Sequence, residues 1–432
     1  MKTTSTALAI VLATSAMAFA APAAAQYRSS PPQPVTTAAP PAGTEPAKGA
    51  KGAKGEKQFT ISTQARKEIL ELQTAVNAKD VANIPAKLTA AQAKARTGDD
   101  KYIVARLQLQ AAADANNTAA IGPAIEAVIA SGVVPASDMG TLYSNLGKLQ
   151  YTAKAYDRAS ASFERLLQID PNSTDAMVML AETRNAQGRV AEAVPFLQKA
   201  IAARVASGQK ADEAWHKRAV ALSYNANLAS APALARDWAA AYPTPKNWRD
   251  TILIHQTTSK LDDGALLDSM RLANAAGALI GENDYFRYAN ALDGKGFPGE
   301  AKLVLEQGFA AKAIDKTRPI FAQLYATVSA KSQGDRASLA GSAKTALAAP
   351  AARQAMLIGD AYYGYGDYAQ AVELYRAALT KTGVNKDLAN LRIGMALARS
   401  GDKAGASAAL GAAGGAQADV AKLWLAYLST KA

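Results

Sequence analysis

The chain has 432 residues, no cysteine, two histidines, and 48 Lys+Arg against 36 Asp+Glu. The missing cysteine excludes disulfides, thiolate metal sites and a thiol nucleophile, and His216 and His255, 39 residues apart, serve metal ligation or histidine acid–base schemes poorly. A net charge of +12 over this length is a mild bias, not the dense patch that nucleic-acid binding demands, while 103 alanines point to closely packed helices.

Met1-Lys2 opens the chain with positive charge, and an apolar run follows over residues 7–20. Ala21-Pro22-Ala23-Ala24-Ala25 then offers a small-residue cleavage pattern before Gln26. This order predicts a secretory signal peptide at 1–25. The run of about 14 residues is short of the roughly 20 that a membrane span needs. No cysteine follows it to carry a lipid, and no later stretch reads as a transmembrane segment. Residues 26–58 hold six prolines and then an Ala-Lys-Gly run, with almost no large apolar side chain. They predict a disordered Pro/Ala/Gly/Lys-rich linker, either a solvated spacer or a weak basic contact with an anionic surface.

From about residue 60 the pattern is helical, with Gly, Asp, Asn or Pro punctuation every 15 to 20 residues. Two helix pairs are expected at about 62–97 and 101–131, so residues 59–136 read as divergent helical repeats. Windows starting at 140, 174 and 352 then align with one another. The first carries Leu146-Gly147, Tyr156, Ala159, Phe163 and Asp170-Pro171, and the second Leu180-Ala181, Gly188, Ala193, Leu197 and Ala200. The third carries Ile358-Gly359, Tyr362, Gly366, Tyr368, Ala371, Tyr375 and Ala378. Weaker copies start at 212, 245, 282 and 387, and the gap between 282 and 352 predicts one degenerate repeat around 318–349. Residues 419–428 place Val420, Leu423, Trp424 and Tyr427 at helical spacing after a Gly/Ala-rich break. That pattern predicts a capping helix in 417–432.

These windows resemble the tetratricopeptide repeat, a helix–turn–helix unit of 34 residues. The resemblance implies an all-α fold, a right-handed α-solenoid of stacked repeats over 137–416 with a C-terminal capping helix. Small residues (Gly147, Ala159, Ala181, Ala193) let paired helices approach, and large ones (Phe163, Leu197, Trp238, Tyr375) fill the spaces between pairs. No single pair can bury its apolar face alone, so stacking is obligatory.

Gly294-Lys295-Gly296-Phe297-Pro298-Gly299 spells G-x-G-x-x-G, but a helix rather than a strand is expected before it, so it reads as an inter-helix turn. A glutamate-dependent glycan-cleaving domain at the C-terminus would have Glu373 alone after Arg353, mid-helix and without a second carboxylate. Of the tyrosines, Tyr362, Tyr368 and Tyr375 fall on core places, whereas Tyr363 and Tyr365 are surplus to packing.

Family members generally bind peptides or partner domains on the concave face lined by the first helix of each pair. Carried onto this chain, that face comprises Lys148, Tyr151, Asn185, His216, Tyr224, Arg249, Phe286, Asn290, Asp360 and Tyr363. Ser144, Glu182, Gln256 and Met356 lie beside them. Ser144 with Lys148 departs from the carboxylate clamp that grips chaperone C-termini. The expectation is an exported, periplasmic, non-enzymatic scaffold without metal or cofactor. It would hold envelope proteins or peptide segments in its groove, in roles such as outer-membrane assembly or polysaccharide secretion. The alternative is an accessory protein that binds or processes cell-wall glycan.

Overall fold

The computed structural model describes residues 59–259 and 261–431; the expected signal peptide and linker lie outside the described residues. Among the described residues the chain forms twenty α-helices and one 3-10 turn, with a single isolated bridge between Ala351 and Thr382. Two compact units divide at Ala211 and Asp212, between windows that read in sequence as consecutive repeats.

The unit at 59–211 contains four pairs of helices. They are α1 (Arg66–Asn77) with α2 (Ile84–Lys94), α3 (Gly98–Asp114) with α4 (Thr118–Ala130), α5 (Ala136–Thr152) with α6 (Tyr156–Ile169), and α7 (Thr174–Ala186) with α8 (Val190–Ala206). Helix starts are set locally: Thr97 and Asp100 close a capping box on α3, and Asn117 and Ser173 cap α4 and α7. The turn after α5 places Lys154 at φ 59°, a left-handed conformation that costs a side-chain-bearing residue about 1 kcal/mol or more. Packing in this unit runs mainly between helices adjacent or next but one in sequence.

A small-against-large contact defines the pairs. A Cβ on Gly147 would lie 2.6 Å from the Phe163 ring, one on Gly359 2.5 Å from Tyr375, and one on Gly394 2.5 Å from Leu410. Each contact joins residues sixteen apart, so the same close approach recurs in separate repeats. Ion pairs and a side-chain amide hydrogen bond, 20 to 32 residues apart, add side-to-side links. Arg184 pairs with Glu164 at 2.6 Å, Gln187 donates to Asp157 at 2.6 Å, and Arg158 pairs with Glu126.

The unit at 212–431 begins with α9 (Glu213–Asn225), α10 (Ala231–Ala241), α11 (Pro245–Thr258) and α12 (Asp263–Ala275). It continues through α13 (Glu282–Gly294), α14 (Pro298–Ala310) and α15 (Pro319–Ala348). The expected degenerate helix pair at 318–349 is instead this one helix of 30 residues. A repeat would need a turn near Ser332-Gln333-Gly334-Asp335. A lone glycine there costs about 1 kcal/mol in a helix, which is too little to break it. The Tyr365 hydroxyl also braces this point, 3.1 Å from the Ser332 carbonyl and 2.8 Å from Asp335 Oδ2. As expected, the glycine-rich run at 294–299 joins two helices: Gly296 sits at φ 80° and Pro298 opens α14.

The chain closes with α16 (Ala352–Gly364), α17 (Tyr368–Leu379), α18 (Lys386–Ser400), α19 (Lys403–Gly411) and α20 (Ala418–Ser429). Helix α20 packs on α18 and α19, where a cap is expected, and it also reaches back to α10 and α12. The Tyr427 hydroxyl donates to the Ala275 carbonyl at 2.7 Å, and its ring meets Trp248 edge-on at 5.8 Å. One apolar core accordingly runs from Ala239 and Trp248 to Trp424 and Leu428. Helix α12 is enclosed: Ala265 and every residue from Leu267 to Ala273 are buried.

Candidate functional site

The first helices of the pairs carry the expected binding residues, and their environments differ between the two units. In the unit at 59–211, Lys148 on α5 is exposed, Tyr151 one turn on is half-buried, and Asn185 on the adjacent α7 is half-buried. The Tyr151 ring tilts against Tyr156 at 5.6 Å, so its position is held by the next helix. Glu182, beside Asn185, is buried.

In the unit at 212–431, Tyr224 is half-buried and Asn290 exposed. His216 is buried with its ring 5.8 Å from Tyr242, and Phe286 is half-buried edge-on to Phe321 at 6.4 Å. Arg249 makes a bidentate pair with Asp284 at 2.7 and 3.2 Å, and this hydrogen bonding raises the pKa of its guanidinium. Arg249 and Gln256 also rim a cavity of about 30 Å³ whose walls include Ile252, Leu253 and Met270.

Asp360 and Tyr363 face inward, not toward an open groove. Both are buried, and both meet Arg271 of helix α12: Asp360 Oδ1 lies 3.6 Å from its Nη1, and the Tyr363 ring centre 4.7 Å from the guanidinium carbon. The first-helix positions of this late repeat therefore hold a helix of the same chain, about 90 residues upstream. Tyr363 and Tyr365, surplus to packing on the repeat pattern, are both packing residues. The Tyr365 ring occupies the space over Gly299, where a Cβ would be 2.3 Å from it.

Arg271 anchors a cluster that repeat reasoning missed. Its guanidinium is fully buried and donates to Glu300 at 3.1 and 2.8 Å and to Asp268 at 3.1 Å. Arg392 of α18 donates to Asp360 Oδ2 at 2.5 Å, Tyr375 to Asp360 Oδ1 at 2.7 Å, and Tyr288 to Glu300 at 2.5 Å. Three carboxylates face two guanidiniums, a formal charge of −1 among side chains at most 10% exposed. Burial raises the pKa of Asp268 despite the opposing pull of Arg392 and Arg271, so a proton on Asp268 would neutralise the cluster. For Arg271 burial works against the charge, but Glu300 and Asp360 outweigh it and keep the guanidinium protonated. Burial likewise raises Tyr288, Tyr363 and Tyr375. The one sequence sign of this cluster was a set of charged residues on apolar helix faces, at Asp268, Arg271 and Arg392.

Each carboxylate in the cluster is turned to a guanidinium or a tyrosine, which suits it to holding helices together. Glu373, weighed as a catalytic acid, is exposed on α17. Among the described residues no group of three His, Asp or Glu could hold a metal ion, and no helix is long and apolar enough to cross a membrane.

Residues 150–214 match the sequence profile of the tetratricopeptide repeat family. Among solved structures, the chain is similar to a tetratricopeptide repeat protein from Parabacteroides merdae ATCC 43184, at 12% identity over 78% of this chain and 100% of that one, with a TM-score of 0.25. It is also similar to the Naa15/Naa10 structure bound to HypK-THB, at 14% identity over 83% of this chain and 64% of that one, with a TM-score of 0.21. No curated protein matches the chain. Residues 150–214 thus carry tetratricopeptide repeat sequence, and the same glycine-against-large-residue pairing recurs as far as Leu410.

Proposed function

We propose that this protein is an exported, periplasmic, non-enzymatic scaffold that docks an envelope protein or peptide segment on the first-helix face of its 59–211 unit. The repeat fold supports protein partners, and the sequence of the first 25 residues supports export. The observation that carries the choice of face is Lys148, exposed on α5, with Tyr151 one turn on and Asn185 near the end of α7 both partly open to solvent. A cation, an aromatic ring and an amide on the first helices of successive repeats can hold an extended peptide by charge, stacking and hydrogen bonds.

The test is capture from envelope extract by the mature chain. A defined protein partner whose recovery falls at least tenfold with Lys148→Glu or Tyr151→Ala, and not with exposed Glu373→Gln, is the expected result. Recovery indifferent to both substitutions, or release of muropeptides from purified cell wall, would overturn the reading in favour of glycan chemistry.

A further inference from the structure

The most unusual contact in the 212–431 unit is the return of its last helix to residues about 150 positions upstream. Helix α20 follows a glycine-rich connection, Gly411-Ala412-Ala413-Gly414-Gly415, in which Gly415 takes φ 53°. It presents Val420, Leu423, Trp424 and Tyr427 at i, i+3, i+4 and i+7, all buried. That spacing is how an amphipathic helix enters a groove on another protein. Here the groove is a seat built by α10, α11 and α12 on one side and by α18 and α19 on the other.

The seat does not satisfy its occupant fully. Trp424 Nε1 is buried without a hydrogen-bond acceptor, and His255 Nε2 of α11 is buried without a partner. A buried polar group left unpaired costs about 1–3 kcal/mol. His255 also lies within electrostatic reach of Asp419 at the start of α20. The interface therefore combines a large aromatic anchor on α20 with one unpaired group of the seat, His255 Nε2, that a bound helix of slightly different sequence could satisfy.

We infer that the α20 seat is a second docking site, for an amphipathic helix of a partner protein that carries an aromatic pair at i+4 and i+7 and displaces α20. The inference deepens the scaffold reading and rests on it, but it concerns the other unit. In the closed chain α20 acts as a tethered competitor. A tethered helix competes at an effective concentration in the millimolar range, so only a partner helix that binds better or is itself tethered nearby takes the seat.

The experiment uses the full mature chain and a fluorescent peptide of the sequence of residues 416–431. In a Trp424→Asp/Tyr427→Asp variant, which disables α20 in cis, the peptide binds at least tenfold more tightly than to the unaltered chain. A peptide carrying Trp424→Ala and Tyr427→Ala does not bind. Equal or absent peptide binding by a variant that keeps its helical circular dichroism overturns the inference. Should the variant fail to fold, hydrogen exchange on the unaltered chain decides. Amides of α20 exchanging at least tenfold faster than those of Leu391 to Leu397 support a detachable helix. Equal protection overturns it. Peptide binding is read independently of capture through Lys148, so failure here leaves the scaffold reading standing, and loss of that capture leaves the seat standing.

Discussion

The two units are built from the same helix pair, yet the first-helix residues Lys148 of one and Asp360 of the other meet opposite surroundings. In the 59–211 unit, Lys148 projects from α5 and packing passes chiefly to near neighbours. In the 212–431 unit the equivalent face of α16 closes on α12, and α20 completes the enclosure. The difference teaches that a repeat's consensus specifies how a helix pair is made, whereas access to its groove depends on what the rest of the chain places there. The buried charges at Asp268, Arg271, Glu300, Asp360 and Arg392 link α12 to α14, α16 and α18, on the side where an open groove would meet a ligand.

All four tryptophans, Trp215, Trp238, Trp248 and Trp424, belong to the 212–431 unit, so their fluorescence reports that unit while circular dichroism reports both. The largest expected effect is from Arg271→Met. It strands three carboxylates around one remaining guanidinium and should cost about 3–5 kcal/mol. Urea unfolding followed by tryptophan fluorescence should lose that stability, and an unchanged midpoint would mean that the cluster does not hold α12.

Gly147→Ala comes next. Its methyl group meets the Phe163 ring at 2.6 Å, and relieving the overlap should cost about 1–3 kcal/mol. Because the contact lies in the other unit, the loss should appear in circular dichroism and leave the tryptophan transition in place. A shift of both together would show that the units unfold as one.

Asp268→Asn tests the charge excess through pH. Burial raises the pKa of Asp268 in the folded chain, so the folded state holds that proton more tightly than the unfolded state does. The resulting stability is present below the ordinary carboxylate value of 3.8 and is lost as pH rises through the raised one. The amide should flatten that slope in the tryptophan-detected midpoint; a slope identical to the unaltered chain's would place the titration elsewhere. Burial lowers the pKa of His255, so its contribution has the opposite sign, being lost as pH falls below 6.5. The smallest effect is expected from Lys154→Gly, which removes the side chain from a left-handed turn and should stabilise the 59–211 unit by up to about 1 kcal/mol. Destabilisation would show that the Lys154 side chain contributes more than its backbone strain costs.

Much of the architecture was legible because it is local. Gly147 with Phe163, Gly359 with Tyr375, and the turn at Gly296 are short-range choices repeated along the chain. The failures have a common cause. The long α15 arises because no breaker stronger than Gly334 interrupts it and because Tyr365, thirty residues on, braces its middle. Tyr363 looked surplus because its contact, Arg271, lies outside its own repeat. Asp360 looked like a groove residue because a single repeat carries no sign of α12.

By itself the sequence determined helix content, pair boundaries and the small-against-large packing inside each pair, since these depend on propensity, turn chemistry and side-chain volume within one period. Tertiary structure alone decided which groove is filled, which charges are buried and where α20 docks. Those outcomes depend on contacts between residues 30 to 150 positions apart. No local pattern encodes them, because a charged or aromatic residue on a helix face reads the same whether water or another helix lies opposite.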